Sequence, residues 1–178
     1  MFEFGKTKVP LHELAALMAK IVLAPLESPS EQDVRFQERA IGAGVDKNRF
    51  TFEVVSLQAY VMGAVLNRER LEGRMKLKDA ESLARELLRA IHNRLQETTA
   101  YDFLLLGLDA DEAVDLIARR TARYAEPSWG RGSPDDVQGF FAEFCGAPES
   151  DVLQQIAWSL VKIRGNGHGA WLRTVRIV

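Results

Sequence analysis

Between Phe50 and Leu66 the chain carries two apolar series at helical spacing, and few folds accommodate both. One series is Phe50, Val54, Leu57, Val61 and Val65; the other is Phe52, Val55, Ala59, Met62 and Leu66. Steps of three and four place each series along one line of an α-helix, and the two lines adjoin. A helix with so broad an apolar face must be covered from more than one side. The segment therefore predicts a central helix in a helical domain, with Asp46 as its N-cap. The β-branched residues near its start would also suit a strand over Phe50 to Val55, but the helical period runs on to Leu66, and length decides.

Around this segment further helices follow, separated by short breakers. Pro10 opens the first, with Leu11, Leu14, Met18 and Ile21 inward and Pro25 as its stop. Ser28 caps the second, with Pro29 at its first position and Glu31 closing a capping box. Its stripe is thin, Val34 and Ile41, with Phe36 and Ala40 on another face. The fourth carries Leu77, Ala80, Ala84, Leu87, Leu88, Ile91 and Leu95. Asp109 and Glu112 have capping-box spacing at the start of the fifth, which continues through Val114, Ile117, Thr121 and Tyr124. Pro127 to Gly132 reads as a loop. Ser133-Pro134-Asp135-Asp136 starts the sixth, with Val137, Phe140, Phe141 and Phe144 inward. The seventh runs from about Pro148 to Arg164, with Val152, Leu153, Ile156, Leu160 and Ile163 inward. Gly165 to Gly169 then reads as a turn or flexible loop. Trp171 to Val178 and Phe2-Glu-Phe4 read as extended ends that pair, given a helix layer or a second chain beneath them.

The expected fold is thus all-α: a bundle of about seven helices in one domain over residues 1–178, with short extended N- and C-terminal segments. A length of 178 residues and an apolar share of 47% both suit a single globular domain. No stretch approaches the roughly 18 consecutive apolar residues of a membrane span. Residues 1–8 lack the basic-then-apolar order of a secretory leader, which points to the cytoplasm.

Residues that could carry chemistry are sparse. The single cysteine, Cys145, excludes an internal disulfide framework, and its neighbours Phe144, Glu143 and Glu149 suit an inert buried thiol. None of His12, His92 and His168 has a His or Cys three or four residues on, and there is no Glu-x-x-His pair, so no metal and no cofactor is expected. Asp109/Asp111 and Asp135/Asp136 sit at helix starts, where capping accounts for them. No Gly-x-Ser-x-Gly elbow occurs. The glycines at 165, 167 and 169 follow a helix rather than a strand, the reverse of a phosphate-binding loop.

Charge is unevenly spread. The formal total of -2 conceals ten acids against four arginines between Asp109 and Asp151. Beyond Val152 there are four bases (Lys162, Arg164, Arg173, Arg176) and no acid, and Arg68 to Lys78 holds five bases against two acids. These stretches offer an edge for an anionic partner, an acidic protein face or nucleic acid. Trp129 and Trp171, beside glycine-rich segments, are candidate anchors for a protein partner together with Arg173 and Arg176.

Arg164-Gly165-Asn166-Gly167-His168-Gly169, after the apolar helix ending at Ile163, resembles the Arg-Asn…Gly-His-Gly element of abortive-infection C-terminal domains, relatives of the all-helical HEPN ribonucleases. The resemblance implies catalysis on RNA in a dimer, with Arg164 contacting phosphate, His168 as acid or base and Asn166 as the accompanying polar residue. It covers six residues, and three residues separate Arg164 from His168 where the family has four to six. The residues themselves favour a different expectation. Broad apolar helix faces without a catalytic constellation point to a non-enzymatic interaction or regulatory module that binds a protein, a second copy included. The HEPN-type ribonuclease is one alternative. Binding of a small ligand between helices is the other.

Overall fold

The computed structural model describes residues 7–97, 106–126 and 134–177, with seven helices and two short strands among them. In chain order these are β1 (Thr7–Val9), α1 (Leu11–Glu27), α2 (Glu31–Gly42), α3 (Lys47–Leu71), α4 (Leu77–Glu97), α5 (Ala110–Ala125), α6 (Pro134–Phe144), α7 (Asp151–Leu172) and β2 (Val175–Ile177). The all-α reading holds.

The central position of α3 follows from its two stripes. It packs against all six other helices, and every residue of both series is buried. The interior falls into two clusters, and α3 contributes to both; Val65 of the first series joins the cluster of the second. Phe52, Val55, Ala59, Met62 and Leu66 join α1, α4 and the front of α5 in one cluster. Phe50, Val54 and Leu57 join α2, α6, Tyr124 and the front of α7 in a second. Among the described residues α3 is the one helix long and apolar enough to cross a bilayer, and 78% of its apolar window is buried inside the bundle. Its N-cap is Asp46, whose side chain accepts from the Arg49 N–H at 2.9 Å.

Several boundaries differ from the sequence reading, each for a local reason. Pro25 does not stop α1. It is buried in the last turn, where it leaves the Ile21 carbonyl without its helical donor, and the helix runs on to close at Ser28, whose N–H donates to Ala24 at 2.9 Å. With Ser28 occupied there, the cap of α2 is Ser30, and Asp33 rather than Glu31 completes the capping box. Helix α2 buries Phe36 and Ala40, while Val34 and Ile41 are exposed. In α4 the inward residue is Leu83 rather than Ala84, and Leu77 points to solvent. The Asp109–Glu112 capping box forms as expected.

The largest correction concerns residues 165–169. They are neither turn nor loop: α7 continues through them to Leu172. Glycine weakens an isolated helix, but packing overrides propensity. Gly165 and Gly169, one turn apart, face α3. A methyl on Gly165 would touch Val61, and one on Gly169 would overlap the Arg68 guanidinium. Bare backbone at Gly169 makes room for that guanidinium, while Gly165 would accept a methyl in ordinary contact. Ile163, expected inward, is exposed.

The extended C-terminal end shrinks accordingly to three residues. It pairs with β1 in parallel, Thr7 opposite Val175 and Val9 opposite Ile177. Val9, Val175 and Ile177 pack on the first cluster, so the ribbon has its helix layer. Residues 2–4, the expected N-terminal partner, lie outside the described residues, as do Trp129 and the 127–132 segment.

Candidate functional site

The second apolar series of α3, continued by one step beyond Leu66, reaches an acid. Glu69 occupies the next inward position, flanked by Arg68 and Arg70. Its side chain is only 4% exposed, but its cover is arginine rather than packed helix. Arg74 Nε and Nη2 donate to its two oxygens, Nη2 at 2.9 Å. Arg173 Nε donates to Oε1 at 3.4 Å, and Arg68 Nε lies 4.0 Å away. The Arg74 hydrogen bonds lead in holding the Glu69 carboxyl below its ordinary range, against the opposing effect of burial. Arg74 also pairs with Glu72.

This carboxylate ties the end of α3 to the end of α7, and with them the two basic stretches that are far apart in sequence. Arg68 donates to the Gly165 carbonyl at 3.5 Å and occupies the space that Gly169 leaves. Arg70 is held by Asn67. Lys76 follows in the exposed connection and Lys78 in the first turn of α4, also exposed. Two apolar side chains stand in the same region: Leu71 is 68% exposed and Leu77 is 54% exposed. One end of the bundle thus combines clustered cations with uncovered leucines.

The predicted site residues fall in different places. Arg173 belongs to this basic end. Trp171 is half-buried and packs on the first core cluster, plugging the bundle beside the ribbon. Of Arg176 only the backbone, paired with Lys8, is described. Arg164 and His168 lie one turn apart on α7. Arg164 Nη2 donates to Asp33 Oδ1 of α2 at 2.6 Å, joining the carboxylate that caps that helix. His168 is buried, with its Nε2 unpartnered. Burial and then the Arg164 charge pull the imidazole down to about 4, so it is neutral near pH 7. Asn166 is exposed. Asp111 Oδ1 lies 2.7 Å from His92 Nε2 and accepts from it, joining α4 to α5. No three His, Cys, Asp or Glu side chains converge as metal ligands do among the described residues.

A second polar group lies in the interior. Glu53 of α3 is 1% exposed, with Oε1 accepting from Arg120 of α5 at 3.2 Å and Oε2 unpartnered. Burial outweighs the attraction of Arg120 and Arg49 and pushes its carboxyl up to about 7. The Tyr124 hydroxyl is buried without a partner, and the Arg120 guanidinium lies 3.7 Å over the Phe144 ring. Burial, with Glu53 adding to it, raises the Cys145 thiol far above its ordinary range, which makes it unreactive.

Periodicity could have found Glu69, because an acid at a stripe position between two arginines needs a partner. The exposure of Leu77 had no such signal. Comparison with protein-family models, curated proteins and solved structures finds no match to this chain.

Proposed function

We propose that the chain is a non-enzymatic interaction module that docks an acidic, leucine-bearing segment of a partner protein on the basic end shared by α3 and α7. One observation carries this reading: Leu71 and Leu77 stand exposed on the stretch that bears Arg68, Arg70 and Arg74, and Glu69 ties Arg68 and Arg74 to Arg173 at the end of α7. An apolar centre with an arginine rim is the composition of a protein-binding hot spot. Nucleic acid is better served by a run of cations free of acids, whereas Glu69 and Glu72 stand among these. Arginine forks bind carboxylates in pairs, and the surplus of positive charge steers an acidic partner toward the surface.

The test is a fluorescence anisotropy titration of the whole chain with a labelled peptide of alternating Glu and Leu. The expected result is affinity that falls with added salt and drops at least tenfold in an Arg70→Glu/Arg173→Glu variant of unchanged helicity. A Lys–Leu peptide should not bind. Equal affinity in the charge-reversed variant overturns the proposal, as does stronger binding of a single-stranded oligonucleotide than of the peptide.

A further inference from the structure

Alongside the basic end, α3 and α7 leave an open cleft of about 270 Å³ between them. Its walls are apolar and aromatic, from Tyr60, Val61, Ala64 and Val161. Arg68 and Lys162 are its two charged lining groups, so the cleft holds two cations and no acid. Arg68 is not a loose surface side chain. The missing side chain of Gly169 makes a seat for its guanidinium, and the Gly165 carbonyl accepts from its Nη2 at 3.5 Å. Its nearest acid, Glu69, is 4.0 Å away and already takes Arg74 at both oxygens. A seated cation beside an apolar wall is the arrangement of a binding site: apolar surface for affinity and one placed polar group for orientation.

We propose that this cleft binds a small apolar carboxylate, its head group on the Arg68 guanidinium and its body along Val61, Ala64 and Val161. The planar fork of arginine matches the two oxygens of a carboxylate. The volume sets the size of the body. An open space of about 270 Å³ admits a short alkyl chain or a single ring. Lys162 adds positive potential, although its ammonium lies 4.5 Å over the Trp158 ring and is partly engaged there. This site is separate from the leucine-centred docking surface and shares only Arg68 with it.

Isothermal titration of the whole chain with octanoate tests the site, with octanol as the uncharged control. Two variants complete the experiment: Arg68→Gln, which removes the charge, and Ala64→Phe, which fills the cleft from an exposed position and so spares the core. The expected result is one-to-one binding of octanoate, at least tenfold weaker binding of octanol, and at least tenfold loss in each variant. Ala64→Phe should leave affinity for the acidic peptide within twofold, which separates this site from the docking surface. Absence of octanoate binding at millimolar concentration overturns the proposal. So does equal binding of octanoate and octanol, or octanoate affinity unchanged by Ala64→Phe.

Discussion

Glu53 and Glu69 are both buried carboxylates on α3, and their surroundings drive them in opposite directions. Glu53 sits among packed helices with one guanidinium at 3.2 Å and an oxygen left without a partner, so desolvation dominates and its proton is held up to about 7. Glu69 sits at the helix end under arginine side chains, with both oxygens engaged by Arg74, and stays ionised below the ordinary range. Accessible surface alone would call the two equivalent. What separates them is the material that covers them: hydrocarbon in one case, flexible cations in the other. The first is a cost carried by the core. The second organises a surface.

The largest expected effect breaks the comparison through pH. A folded-state pKa near 7 means that Glu53 binds its proton more tightly in the fold than at the unfolded value of 4.5, so its contribution to stability falls as pH rises from 4.5 to 7. His168 does the reverse. Its value drops from 6.5 to about 4 in the fold, so its contribution is present above 6.5 and lost as pH falls toward 4. The two slopes oppose each other over the shared window, and the wild-type chain should owe little net pH dependence to this pair. Glu53→Gln should expose the histidine, with roughly 3 kcal/mol lost on acidifying from pH 7 to 4. His168→Met should expose the glutamate, with a similar loss on raising pH from 4.5 to 7. Urea denaturation across that range measures both. Parallel curves for the two variants would contradict the assignment.

Glu69→Ala comes next. Its arginine partners keep access to water, with side chains 37–51% exposed, so the cost is discounted to about 1–2 kcal/mol, read as a shift in the urea midpoint. The substitution should also loosen the end of α7, seen as faster amide exchange from Gly169 to Arg173. Gly169→Ala is the smallest. The added methyl takes the seat of the Arg68 guanidinium, which can swing out to solvent, while alanine strengthens the helix by up to about 1 kcal/mol. Thermal stability should therefore change by less than about 1 kcal/mol while octanoate affinity falls.

The sequence made the interior legible because apolar period and helix geometry share one arithmetic. The two series of α3 marked a broad apolar face and so a central helix, and every residue of both is buried. Caps at Asp46 and Asp109 were readable for the same local reason. The glycines at 165 and 169 were misread because the helix they continue is held by α3, about a hundred residues earlier in the chain, with the Arg68 guanidinium in the space at Gly169. Local propensity carries no record of such a neighbour. The Arg164–Asp33 pair and the burial of His168 were unreadable for the same reason, since both are tertiary facts. Leu77 was placed inward because it shares the period of its helix, yet it stands at the first residue of α4, before the stripe meets a partner.

The claim that the α3–α7 end is the working surface is tested most directly by mapping the Glu–Leu peptide onto the isotope-labelled chain by NMR. The account predicts shift changes concentrated at Leu71, Arg74, Leu77 and Arg173, with Glu53 and Tyr124 unmoved. Changes centred on α5 and α6, or none at saturating peptide, would contradict it.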